Sequence, residues 1–194
     1  MHNVWGCFLF KRITALTQAQ VDLVVSEGSI AVDATAGNGY DTLYLAEKVG
    51  NSGHVYSFDI QEEALHKTGE LLREKGLSAR VSLIPDSHVN MSEYLTEKVS
   101  VIMYNLGYLP GGNQEVTTTA RVTLESVEKS LTLLNPGGII TIVVYPGHPE
   151  GEREKETLMA YCNRQNSAET AILHTHLLNQ KGFPPELIII QKAC

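Results

Sequence analysis

Along the chain, short runs that are almost continuously apolar alternate with stretches whose apolar positions recur every three or four residues. Residues 29–33, 54–58, 80–84, 99–104 and 138–144 are of the first kind, rich in Val and Ile and bounded by turn residues, the pattern of strands covered on both faces. The second kind is helical. Ala120, Leu124, Val127, Leu131 and Leu134 fall on one helix face, as do Ala64, Leu65, Thr68, Leu71 and Leu72 within 61–75. Thr17 followed by Gln20 reads as a capping box opening a helix over 18–27, with Leu16, Ala19 and Leu23 on one side. The repeated alternation predicts an α/β fold, a doubly wound and mostly parallel sheet with helices on both faces. After Val144 the rhythm changes to a helix over 152–164 (Leu158, Met159 and Cys162 on one face), a strand over 170–177, a corner at Gly182-Phe-Pro-Pro185 and a last strand over 187–191. Two strands joined without a helix lie antiparallel. No linker, repeat or low-complexity tract interrupts the chain, so residues 1–194 read as one domain, with 1–28 as its helical lead-in.

Composition narrows the function classes. The 194 residues are 43% hydrophobic and 19% charged, enough for one substantial core, and no apolar run approaches the roughly 18 residues of a membrane span. Fifteen Lys and Arg against 22 Asp and Glu give a net charge of −7, the wrong sign for coating nucleic acid by bulk charge; an RNA partner requires a local basic patch. Cys7, Cys162 and Cys194 are odd in number and lack metal-type spacing, which points to a reducing cytoplasm. The apolar stretch 4–10 is followed, not preceded, by Lys11 and Arg12, so it is not read as a signal peptide. His174 and His176 share a strand face without a third ligand, and no metal site is expected.

The candidate chemistry begins at Asp33-Ala-Thr-Ala-Gly-Asn-Gly-Tyr-Asp-Thr42, directly after the first strand and before a helix, where an open α/β sheet binds its ligand. Gly37 and Gly39 allow close backbone approach, although a G-x-G pair also makes plain strand-to-helix turns. Asp59 ends the second strand roughly 20 residues on, where a carboxylate accepts the ribose hydroxyls of an adenosine. NAD and S-adenosylmethionine both satisfy that pattern. The third-glycine position is Thr42, however, and Asp33 at the loop's base repels a diphosphate while favouring the amino group of a sulfonium ligand. Electrostatics therefore favour S-adenosylmethionine.

The order Asp33-x-x-x-Gly37-x-Gly39, Asp59, Asp86, Asn105 and Leu134-Asn-Pro-Gly-Gly138 resembles the Rossmann-like class I methyltransferases over nearly the whole chain. More closely, the glycine loop, Phe58-Asp-Ile-Gln61, Asp86-Ser-His88, Asn105-Leu-Gly-Tyr-Leu-Pro-Gly-Gly112 and Tyr145-Pro-Gly-His-Pro-Glu-Gly151 are similar to the bacterial rRNA methylase-like family now assigned to tRNA wobble-uridine modification. The resemblance implies a seven-stranded sheet of order 3-2-1-4-5-7-6 with the last strand antiparallel, S-adenosylmethionine as cofactor, a cytoplasmic homodimer, and the anticodon stem-loop of tRNA as partner. The implied reaction is N-methylation of 5-aminomethyl-(2-thio)uridine at the wobble position.

It also implies roles. Thr35, Gly37, Asn38, Gly39 and Thr42 would surround the methionine part of the cofactor, with Asp33 and Asp41 near its amino group; Asp41 reads equally as a first-turn helix acid. Asp59 and Gln61 would hold the ribose, while Asp86, Ser87 and His88 would close over the adenine; His88 also reads as a solvent-facing loop residue. Asn105, which would also touch the cofactor, and Tyr108 match the first and fourth positions of the D/N-P-P-Y/F/W motif of amine methyltransferases, without its two prolines. Asn105 can accept from the substrate N–H and Tyr108 can present a ring face to the base, and His148 is the candidate proton acceptor or else a helix cap. Lys11, Arg12, Arg121 and Arg153, with Trp5, are the candidate RNA contacts. Competing readings are a methyltransferase of an rRNA base or a small amine, an NAD-binding oxidoreductase, and a nucleotide-binding module without chemistry.

Overall fold

The computed structural model describes residues 13–107 and 118–194. Strands β1 (Ile30–Asp33), β2 (His54–Phe58), β3 (Val81–Ile84), β4 (Val99–Asn105), β5 (Leu134–Val144), β6 (Thr170–Thr175) and β7 (Glu186–Lys192) form one sheet. Helices α1 (Ile13–Val21), α2 (Tyr40–Lys48), α3 (Glu62–Glu74), α4 (Ala120–Leu133) and α5 (Pro149–Cys162) accompany it. The order is β3-β2-β1-β4-β5-β7-β6, parallel throughout except for β7, which runs antiparallel to both β5 and β6. The chain winds from β1 out to β3, then returns to lay β4 on the other side of β1. That reversal opens a crevice beyond the carboxyl ends of β1 and β4.

Alternation along the strands divides the core into two layers. Ile102 and Tyr104 of β4 face the layer shared with α4 and α5, whereas Val101 and Met103 face the layer that holds Val21 of α1, Leu45 of α2 and Leu72 of α3. Val99 lies with Ile102 because the register shifts between Val99 and Val101, opposite Leu134 and Ile139. The Asn135-Pro-Gly-Gly138 turn is accommodated in that irregularity, so β5 begins four residues earlier than its apolar run predicts.

Two further expectations are corrected. The first helix spans Ile13–Val21, not 18–27: the Thr17 hydroxyl donates to the Ile13 carbonyl at 2.9 Å inside the helix, and it caps nothing. Thr17 and Val21 are its buried residues, while Ala19 and Leu23 face out. On α4 the deepest positions are Thr123, Ser126, Val127 and Ser130, with Leu124 and Leu131 at the margin of the core. Small hydroxyl residues are buried there because each finds a partner. Tyr104, Ser126 and Ser130 join at 2.6 and 2.7 Å, Ser126 donates onward to the His88 carbonyl at 3.0 Å, and Thr123 donates to Glu154 at 2.7 Å. A hydrophobicity count alone places that face one step off.

Candidate active site

A cavity of about 1110 Å³ fills the crevice, larger than most single-ligand sites. From β1 come Thr35, Gly37, Asn38 and, in the first turn of α2, Asp41; from β2, Asp59, Ile60 and Gln61; from β3, Asp86, Ser87 and His88. Asn105, Leu106 and Gly107 follow β4, and Tyr145, Gly147 and His148 follow β5. Eleven residues expected at the site from the sequence therefore meet in one place: Thr35, Gly37, Asn38, Asp41, Asp59, Gln61, Asp86, Ser87, His88, Asn105 and His148.

Asp33, Gly39 and Thr42, expected to touch the cofactor, stand behind the wall. Asp33 is 1% exposed; its carboxylate accepts from the Thr42 hydroxyl at 2.6 Å and from the Thr35 N–H at 3.0 Å. The Ser57 hydroxyl lies 2.8 Å from that of Thr42, and since Thr42 spends its proton on Asp33, Ser57 is the donor. Burial foremost, then the neighbouring Asp41 carboxylate, pushes the Asp33 carboxyl up to about 7. Asp33 is thus a brace for the loop. Gly39 caps α2 at φ +83° beneath α3, where a Cβ would come within 3.0 Å of Thr68, so glycine is required both by backbone and by space.

Asp59 secures the other side of the loop, accepting from the Gly37 N–H at 3.0 Å and the Gln61 N–H at 2.9 Å; each carboxylate oxygen keeps a second lone pair for a ligand. Asp86 is held by Tyr94 at 2.8 Å, Asn90 at 2.9 Å and the Ser87 N–H at 2.7 Å, contacts that keep its carboxyl below the ordinary range, the Tyr94 bond contributing most. His88 is buried, not solvent-facing. Its Nδ1–H donates to the Ala34 carbonyl at 3.1 Å, burial drives its pKa down to about 4, and among the described residues its Nε2 has no partner.

On the β4 side, the Asn105 backbone N–H donates to Thr35 Oγ1 at 2.8 Å, tying the strand end to the glycine loop. Its side-chain Nδ2 points to Asp41 Oδ2 at 3.4 Å, and burial raises the Asp41 carboxyl. His148 caps α5, Nδ1 accepting from the Gly151 N–H at 3.1 Å. Arg121 is exposed on α4, and Arg153, exposed on α5, pairs with Glu150 at 3.5 Å; neither lines the cavity. Trp5, Lys11, Arg12 and Tyr108 lie outside the described residues. The sequence assigns no site role to Tyr145, Thr118, Thr119, Val122 or the exposed aromatics Tyr40 and Phe183, all of which line the cavity. Their shared signal is position, since most follow the carboxyl end of a strand; Phe183 is a large apolar residue set in a Gly-Pro corner.

The charge of the lining is one-sided: Asp41, Asp59 and Asp86, with no Lys or Arg among the described residues. Such a wall suits a cationic ligand and opposes a diphosphate. The donor set thus fits S-adenosylmethionine, whose sulfonium and amino groups are both positive, with Asp59 and Gln61 available to ribose.

Comparisons with known proteins agree with that chemistry. The family described as "Putative rRNA methylase" matches residues 55–191. The chain is 38% identical, over 99% of its length and 74% of the relative's, to a protein of Arabidopsis thaliana named "tRNA (mnm(5)s(2)U34)-methyltransferase, chloroplastic". Among solved structures it resembles a protein of Clostridium thermocellum described as a "putative rRNA-methylase" (38% identity, TM-score 0.91, 92% of this chain and 96% of that one). It also resembles SMU.1697c of Streptococcus mutans, described as "a putative methyltransferase" and solved with SAH (35% identity, TM-score 0.85, 94% and 98%). The fold, the acidic crevice and these matches together place the chain in the "Putative rRNA methylase" family, as a Rossmann-like S-adenosylmethionine-dependent methyltransferase.

Proposed function

We propose that the protein methylates the exocyclic amine of 5-aminomethyl-(2-thio)uridine at the wobble position of tRNA, giving the 5-methylaminomethyl product. The observation that carries this reading is the 38% identity, spanning 99% of the chain, to the tRNA (mnm(5)s(2)U34)-methyltransferase. The site supports it. S-adenosylmethionine, when bound, supplies an electrophilic methyl group. Gly37 and Asn38 would hold its methionine end, Asp59 and Gln61 its ribose, and Asp86, Ser87 and His88 the adenine side of the cavity. Asn105, at the end of β4, faces the remaining space with its amide, and its carbonyl oxygen can accept an N–H of the substrate amine and so direct the nitrogen lone pair. Orientation of two reactants is most of what an amine methylation asks of a protein.

An acidic lining favours a substrate that carries an ammonium over one that carries a carboxylate, which suits an aminomethyl side chain. The lack of basic residues in the described lining also favours a second reading, a small free amine, so the free nucleoside belongs in the same assay. The reading includes a cytoplasmic homodimer acting on the anticodon stem-loop. Methylation of an anticodon stem-loop carrying 5-aminomethyluridine, followed by digestion and mass spectrometry, tests it. A gain of one methyl on the aminomethyl nitrogen is expected; a methyl on the ring or ribose, or turnover of the free nucleoside equal to that of the RNA, contradicts it.

A further inference from the structure

We propose that Asp41 is the proton acceptor of the reaction, taking a proton from the substrate's ammonium while that group is held at Asn105; this rests on the substrate reading above. At neutral pH an aliphatic amine is mostly protonated and has no lone pair to offer, so one N–H bond must break before attack. The acceptor has to line the cavity beside Asn105.

Elimination by geometry leaves one group among the described lining residues. Asp59 and Asp86 follow β2 and β3, on the far side of β1 from Asn105, and their oxygens hold the loops together through Gly37, Gln61, Tyr94 and Asn90. His88 Nε2 is sealed from the cavity by its own burial. His148 spends Nδ1 on capping α5, where it accepts from the Gly151 N–H, so that nitrogen is not available to a substrate proton. Of the carboxylates and histidines in the described lining, Asp41 is the one bonded to the Asn105 side chain, with 3.4 Å from Asn105 Nδ2 to its Oδ2. That contact turns the amide toward the carboxylate, so Asn105 and Asp41 face the same part of the cavity.

The surroundings make Asp41 a better base than a surface aspartate. Asp33 faces it from β1, Tyr145 from the end of β5 and Tyr44 from its own helix, with Asn105 from β4, and none of them is cationic. Burial raises its carboxyl, and the Asn105 bond only partly offsets that. In the step, one ammonium N–H bond breaks with its electron pair staying on nitrogen, and the proton passes to an Asp41 oxygen. That pair would then take the methyl group supplied by bound S-adenosylmethionine as the methyl–sulfur bond breaks with its electrons staying on sulfur, leaving SAH; the product departs as a secondary ammonium, and Asp41 returns its proton to water.

The test compares wild type, Asp41→Asn, Asp41→Glu and Asn105→Ala on the aminomethyl stem-loop from about pH 6.5 to about pH 9.5, with SAH affinity measured by calorimetry. Asp41→Asn is expected to lose about 100-fold in kcat near pH 7, shrinking to under about tenfold near pH 9.5, where the amine gives up its proton unaided. The rates are read at saturating S-adenosylmethionine, so a change in cofactor affinity does not enter kcat, and Asp41→Glu should recover part of the rate. Asn105→Ala should show a loss that does not vary with pH. A pH-independent loss in Asp41→Asn overturns the proposal. If Asp41→Asn fails to fold, Asp41→Ser takes its place, and a pH-independent loss in that variant decides against the proposal. No wild-type methylation of this RNA despite bound SAH overturns the substrate reading itself, and the proposal with it.

Discussion

Asp59 illustrates how one side chain serves both the fold and the ligand. It accepts from the backbone N–H groups of Gly37 and Gln61, fixing the loops after β1 and β2 about a single carboxylate, with lone pairs remaining for ribose. Replacing it with Ala should weaken SAH binding by about 10- to 100-fold, the worth of one or two charge-assisted hydrogen bonds. Unchanged affinity in calorimetry would remove Asp59 from the binding site. Asp33 makes a different prediction. Its folded pKa is raised from 3.8 to about 7, so the native state binds that proton more tightly than the unfolded chain does. Its contribution is therefore fully present below about pH 4 and is lost as pH climbs toward 7. Urea midpoints should fall over that window in wild type, and the slope should flatten in Asp33→Asn; identical slopes would contradict the buried brace. These residues were differently legible in the sequence. Asp59 and Asp86 could be located because strand ends are readable and ligands gather there. That Asp33 and Thr42 turn inward was not readable, since the direction of a side chain at a strand-to-helix turn depends on Ser57, a neighbour supplied by another strand.

The elements that carry the site are held by polar contacts inside an otherwise apolar layer. Tyr104 of β4, one residue before Asn105, bonds Ser126 and Ser130 of α4 at 2.6 and 2.7 Å, and Ser126 passes the chain on to the His88 carbonyl. Three segments that line the cavity are thereby fixed in one register. Tyr104→Phe leaves two buried serines short of a partner and should cost about 1–3 kcal/mol, lowering the melting temperature by roughly 2–10 °C. A melting temperature equal to wild type would show that the network carries no stability. The strands and their order could be read from apolar runs and resemblance, because a buried parallel strand needs little beyond its own side chains. The burial of α4 could not, because serine and threonine on an inner helix face look like surface until a tyrosine from the sheet is placed against them. The same holds for α1: Thr17 resembles a cap in sequence, yet its hydroxyl bonds the preceding turn.

Across the protein, the net charge of −7 and a cavity lined by carboxylates describe a catalyst that attracts a cation into its crevice without gripping a phosphate backbone there. On the proposed tRNA reading, phosphate contacts lie outside that lining, and the candidate basic residues Arg121 and Arg153 are exposed on α4 and α5 without lining the cavity. Among the described residues no helix is long and apolar enough to cross a membrane. The most direct test supplies labelled S-adenosylmethionine with two tRNA pools, one bearing 5-aminomethyluridine at the wobble position and one lacking the aminomethyl group. Label entering only the first pool is the predicted result. Label entering both pools equally, or neither while SAH binds, would contradict a methyltransferase directed to that amine.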